Sequence, residues 1–183
     1  MTIGRIYAMI FTTITFPGVI VHEIAHRFFC DLTNTKVYQV KYFEFSNSFR
    51  VAGYVSHEEP KTLMAKILIC IAPLIINTFL CLVFSCPIII TIATGTAIVI
   101  GFPHLILLWV SISVGCHAIP SPQDTNSLSE YISKHGNKVA IISYLPFKVI
   151  FFILHLLQHL YLDLVYAITI LYLNYALLDA ILN

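Results

Sequence analysis

The chain has 183 residues, 58% of them hydrophobic and 10% charged. A soluble globular domain is about 45–50% apolar and about 25% charged, so this balance excludes an ordinary soluble fold and makes lipid the expected solvent. A formal net charge of +1 at pH 7 excludes a nucleic-acid partner, which would need a basic face.

The apolar residues fall in blocks long enough to cross a bilayer, which takes about 20 residues as a helix. Backbone groups in hydrocarbon must be satisfied within the segment, so such blocks are helices. The expected fold is therefore an all-α polytopic membrane protein with about 4–5 transmembrane helices and a small β-hairpin between helices one and two. It forms a single membrane-embedded domain over residues 1–183.

The first helix is expected over residues 4–29, kinked at Pro17, which leaves the Thr13 carbonyl without its helical donor. Hydroxyls of Thr12, Thr13 and Thr15 lie near enough to relieve that gap. Arg5 ahead of an apolar stretch resembles a signal peptide, but no small-x-small cleavage site follows, so the segment is expected to be retained. In the long polar region of residues 30–61, the runs 36–45 and 49–55 are rich in Val, Tyr and Phe. They flank Ser46-Asn47-Ser48 and read as a β-hairpin.

A second helix is expected over residues 63–84. Gly101 and Pro103 divide residues 86–119 into two apolar runs, each short for a crossing. We expect one crossing there, broken near Gly101, with an apolar lead-in. Residues 120–138 read as a polar loop. The apolar tail, residues 139–182, is interrupted by Gln158, His159 and Asp163, and suits either a helical hairpin or one spanning and one interfacial helix. The five cysteines, Cys30, Cys70, Cys81, Cys86 and Cys116, lack CxxC spacing and read as small core residues.

The chemistry concentrates in His22-Glu23-Ile24-Ala25-His26. Two imidazoles at i and i+4 share one helix face, and both reach a single Zn²⁺ at about 2.0–2.1 Å. Glu23 is displaced around the helix, so it reaches a water rather than the metal and can take that water's proton. Three ionisable groups within five residues of a membrane helix are expensive and mark a functional site.

A catalytic zinc needs a third protein ligand. Asp124 is the first choice, because Pro120 and Pro122 let the backbone bend and present a carboxylate. A single crossing in residues 86–119 also returns Asp124 to the side where His26 lies. His117 is the rival ligand, and a loop or cap role for Asp124 stays open.

With HEIAH in an apolar helix, Ala72-Pro73-Leu74-Ile75-Ile76-Asn77 in the next, and a proline-rich turn ending in Asp124, the chain resembles the site-2 protease class of intramembrane zinc metalloproteases. It is most similar to the small zincin-peptidase branch of that class. The resemblance runs over residues 15–128, within a metalloprotease-like core of residues 1–128; residues 139–183 form a C-terminal helical extension outside it. The chain departs from the family pattern in having Ala72-Pro73 in place of Gly-Pro and Asp124-Thr125 in place of Asp-Gly.

The resemblance implies a zinc endopeptidase that hydrolyses membrane-embedded or membrane-proximal protein or peptide substrates. In it His22, His26 and Asp124 bind zinc, Glu23 is the general base, and Asn77 lies near the active site. Asn77 is a candidate substrate-facing residue, but a lone Asn in a membrane helix equally well bonds a neighbouring helix. The expected second strand, with Gly53 allowing close backbone approach, is a candidate edge for binding an extended substrate. A plain surface hairpin explains the same residues.

Two other functions stay open: a non-catalytic membrane scaffold or assembly factor, and a metal or proton transporter. The cationic residues Arg27, Lys36, Lys41, Arg50, Lys61 and Lys66 share one side with Lys134 and Lys138. The positive-inside rule makes that side cytoplasmic, and we expect a multi-pass protein of the cell membrane with its zinc site near the cytoplasmic face. His155, Gln158, His159 and Asp163 read as the wet turn of a helical hairpin. Lys148, His57, His104 and His135 offer no constellation.

Overall fold

The computed structural model describes residues 3–44, 53–95, 101–136, 138–158 and 162–182. In chain order the elements are α1 (Ile3–Ile14), α2 (Phe16–Leu32), β1 (Val37–Lys41), β2 (Tyr54–His57), α3 (Leu63–Ala93), α4 (Phe102–Cys116), α5 (Pro122–His135), α6 (Lys138–Gln158) and α7 (Leu162–Leu182). The chain is mostly helical, with one small antiparallel sheet.

The expected single first helix is two. Pro17 sits in the first turn of α2, where its missing N–H costs nothing, and Thr15 breaks the path between α1 and α2. The Thr15 hydroxyl donates to the Phe11 carbonyl at 2.7 Å. That bond goes to Phe11 and not to the Thr13 carbonyl, the group expected to lack its donor.

Helix α3 is longer than expected. It runs through Pro73 and Pro87 to Ala93 and so absorbs the apolar lead-in, with α4 the next apolar helix. It is the centre of the fold, packing against α2, α4, α5 and α7. Small residues line these contacts, which lets backbones approach closely as in membrane bundles. Ala25, Cys30, Ala72 and Cys81 are buried, and a Cβ on Gly115 would stand 2.9 Å from the Ala167 Cβ. The tail is thus part of the bundle: Asn174 Nδ2 donates to Ser85 Oγ at 2.7 Å and to the Leu82 carbonyl at 3.1 Å.

Two helices, α3 with 31 residues and α7 with 21, are long and apolar enough to cross a membrane. At 1.5 Å per residue they reach roughly 46 and 32 Å, against a hydrocarbon core of about 30 Å. Helix α4 and residues 141–154 of α6 are shorter apolar stretches.

The strands pair antiparallel, Lys41 opposite Tyr54 and Val37 opposite His57, with an irregularity between Val37 and Gln39. The second strand therefore lies later than residues 49–55. The Ser46-Asn47-Ser48 turn lies outside the described residues, as do His159 and the side chains of His155 and Gln158.

Residues 120–138 are not a loop. Pro122 opens α5 at a position tolerant of proline, Ser121 accepts from the Asp124 N–H, and Asp124 closes a reciprocal capping box. The prolines that argued against a regular helix stand at and before its start.

Candidate metal centre

Helix α2 presents His22 and His26 from one face, and their ring centroids are 4.8 Å apart. The α5 N-terminus brings Asp124 against them. His22 Nε2 lies 3.2 Å from His26 Nε2 and 3.5 Å from Asp124 Oδ2, and His26 Nε2 lies 3.3 Å from Asp124 Oδ1. Ligand atoms about 2.0–2.1 Å from one tetrahedral ion stand roughly 3.3 Å apart, so this spacing suits a shared cation.

The remaining ring nitrogens decide the tautomers. His22 Nδ1 lies 2.8 Å from the His117 carbonyl oxygen, and His26 Nδ1 lies 2.8 Å from the Ile69 carbonyl oxygen. A carbonyl only accepts, so each Nδ1 carries the proton, and in the neutral form each ring would turn an Nε2 lone pair inward. Two lone pairs and a carboxylate then converge with no proton of their own between them. Such a donor set fits a cation and, by type, fits zinc. Hydrogen bonds from Nδ1 to carbonyls are also how metal-binding histidines are usually oriented.

Asp124 is both ligand candidate and cap. Its Oδ2 accepts from Ser121 N at 2.8 Å and Ser121 Oγ at 2.7 Å, which holds the carboxylate toward the rings. His117, the rival, turns its side chain elsewhere: its Nε2 lies 2.8 Å from Thr15 Oγ1. Thr15 spends its proton on Phe11, so His117 is the donor. It serves the site through its carbonyl oxygen instead.

Asn77 is fully buried. Its Nδ2 donates to the His117 carbonyl at 3.0 Å and the Val114 carbonyl at 3.3 Å. It ties α3 to the end of α4 and shares with His22 the oxygen that orients that ring. The structure thus places Asn77 behind the ligands rather than in the cavity, and a substrate-facing role gives way to a helix-bonding one. Its Oδ1 is buried without a partner among the described residues.

A cavity opens beside the three ligand candidates, lined by Glu23, Gly53, Tyr54, His57, Lys66 and Ser127 among others. Gly53 is glycine for a reason internal to the protein. A Cβ there would stand 2.7 Å from Glu23 Cγ and 2.8 Å from the Tyr42 carbonyl oxygen. The residue just before β2 is thus wedged between the HEIAH helix and the end of β1, and Gly53, Tyr54 and His57 reach the cavity wall.

Sequence reasoning passed over His57, Lys66 and Ser127. His57 Nδ1 donates to the Glu58 carbonyl at 2.6 Å; burial pushes this imidazole's pKa down, and that hydrogen bond opposes the shift. No spacing marked His57 or Ser127. Lys66 did carry a signal, a charge inside an apolar helix, but it was read only as a marker of orientation.

Comparison with family models, curated proteins and solved structures finds no match to the chain. The functional reading therefore rests on the site itself.

Proposed function

We propose that this protein is a multi-pass membrane zinc endopeptidase, acting on membrane-embedded or membrane-proximal peptide segments near the cytoplasmic face. One observation carries the reading: His22 Nε2, His26 Nε2 and the Asp124 carboxylate converge, with both Nδ1 protons already committed, beside a cavity that Glu23 lines.

In this reading His22, His26 and Asp124 hold the ion. Zinc bound at such a site would supply Lewis acidity and make water a nucleophile at neutral pH. The Glu23 carboxylate takes the attacking water's proton and then delivers it to the leaving amine nitrogen. The carbonyls of His117 and Ile69 keep the two rings in register through that exchange. Gly53 and the edge of β2 that follows it hold the substrate extended by strand addition, which exposes a peptide bond that a helix would bury.

Purified protein reconstituted with a single-pass substrate carrying a helix-breaking residue tests the reading, with products read by gel and mass spectrometry. Cleavage by wild type and none by Glu23→Gln is expected. Equal cleavage by both would overturn the mechanism. Normal cellular function of Glu23→Gln would favour a scaffold, and metal flux without a cleavage product a transporter.

A further inference from the structure

Lys66 is the cation that the proposed chemistry leaves unused. It lies in the first turns of α3, whose N-terminus is already the positive end of the helix dipole, and it is only 7% exposed. Its Nζ donates to Ser127 Oγ at 2.6 Å. Among the described residues no carboxylate stands within ion-pair distance of it. Asp124, one turn before Ser127 on α5, has its oxygens turned to Ser121, His22 and His26.

Burying an ammonium against a neutral hydroxyl is costly unless an anion joins them. Charge balance in the cavity points the same way. A divalent ion held by the site would be matched by the carboxylates of Asp124 and Glu23, and the Lys66 ammonium would then be left over. Ser127 accepts the lysine's hydrogen bond, which leaves the hydroxyl proton to donate. An ammonium and a hydroxyl side by side can both donate to one carboxylate, and charge-assisted bonds of this kind are the strong ones.

We propose that Lys66 and Ser127 form a carboxylate-binding subsite next to the scissile bond. It receives the carboxylate of a peptide, either at the chain terminus or on an Asp or Glu side chain. The inference rests on the peptidase reading of the same cavity and narrows its substrates to acidic ones.

The test measures binding to full-length Glu23→Gln protein in detergent, loaded with zinc, by fluorescence anisotropy. Two pairs of dansylated peptides serve as probes: one with a free C-terminal carboxylate against its amide, and one amidated peptide with an internal Glu against Gln. At least one pair should favour the carboxylate by about ten-fold or more, and the pair that does so identifies its source. Lys66→Met, added to Glu23→Gln, should erase the preference, and Ser127→Ala should reduce it. Equal affinity within both pairs, or no binding of any probe, overturns the proposal. So does a preference that survives Lys66→Met. Should Lys66→Met not fold, Ser127→Ala decides, and an unchanged preference overturns the proposal. Incubating the same probes with wild-type protein separates the two readings. Intact probes alongside a retained preference would sink the peptidase and spare the subsite.

Discussion

At the scale of single residues, the candidate centre depends on groups that do two things at once. Asp124 caps α5 through Oδ2 and faces both imidazoles. Asp124→Ala removes both roles, whereas Asp124→Asn keeps an oxygen for the cap and loses the charge. Zinc content of purified protein should fall in both variants. Stability of the metal-free protein should fall by about 1 kcal/mol in the alanine variant and little in the asparagine one. Equal zinc content in wild type and Asp124→Ala would remove Asp124 from the ligand set. Glu23 carries a single role by contrast. Glu23→Gln should lose about 10²–10⁴ of the cleavage rate while zinc content stays that of wild type, because the residue is a base and not a ligand. Loss of zinc in that variant would contradict the assignment.

At the scale of elements, the candidate metal site is set by how closely α2 and α4 approach. Gly18 makes that contact: its N–H donates to Ser113 Oγ at 2.8 Å. A Cβ in its place would overlap the Ser113 carbonyl and stand 2.7 Å from His117 Cδ2. Gly18→Ala must push the helices apart and carry the His117 carbonyl away from His22 Nδ1. Overpacking of this kind costs about 1–3 kcal/mol. Thermal unfolding should show that loss, and zinc affinity should fall although no ligand has changed. Wild-type zinc affinity in a destabilised Gly18→Ala protein would show that the carbonyl does not orient the ring.

At the scale of the whole molecule, two features can be checked apart from catalysis. The first is sidedness. Strand β2 and helix α5 line one cavity, so both must lie at the same end of the bundle. Single cysteines at Ser56 and Glu130, in a cysteine-free background, should be labelled from the same side of a sealed vesicle. Labelling from opposite sides would break the parity of the crossings and the centre with it. The second is linkage of metal to folding. If zinc binds only the folded bundle, a free concentration one hundred times the dissociation constant should stabilise the protein by about 2.7 kcal/mol. An unfolding midpoint in detergent that zinc does not move would count against a folded-state site, and His22→Ala is the control that should show no shift.

What the sequence determined by itself was the local and the periodic. Hydropathy marked α3, α4 and α7 because lipid forces backbone satisfaction into helices, and the i, i+4 spacing of His22 and His26 put both rings on one face by helix geometry alone. Residues with strand preference marked a hairpin, although its second strand, Tyr54–His57, begins later than expected. The need for a third ligand and the parity of the crossings marked Asp124, but its surroundings were misjudged as a bent loop because the same Ser-Pro-x-Asp stretch is a helix start. Only tertiary structure decided the rest. The carbonyls of His117 and Ile69 that select the imidazole tautomers have no side-chain signature. Asn77 became a tie between helices because α2, α3 and α4 meet there. Lys66 and Ser127, 61 positions apart, meet because α5 folds back onto the start of α3, and contacts between distant segments depend on packing that no local pattern records.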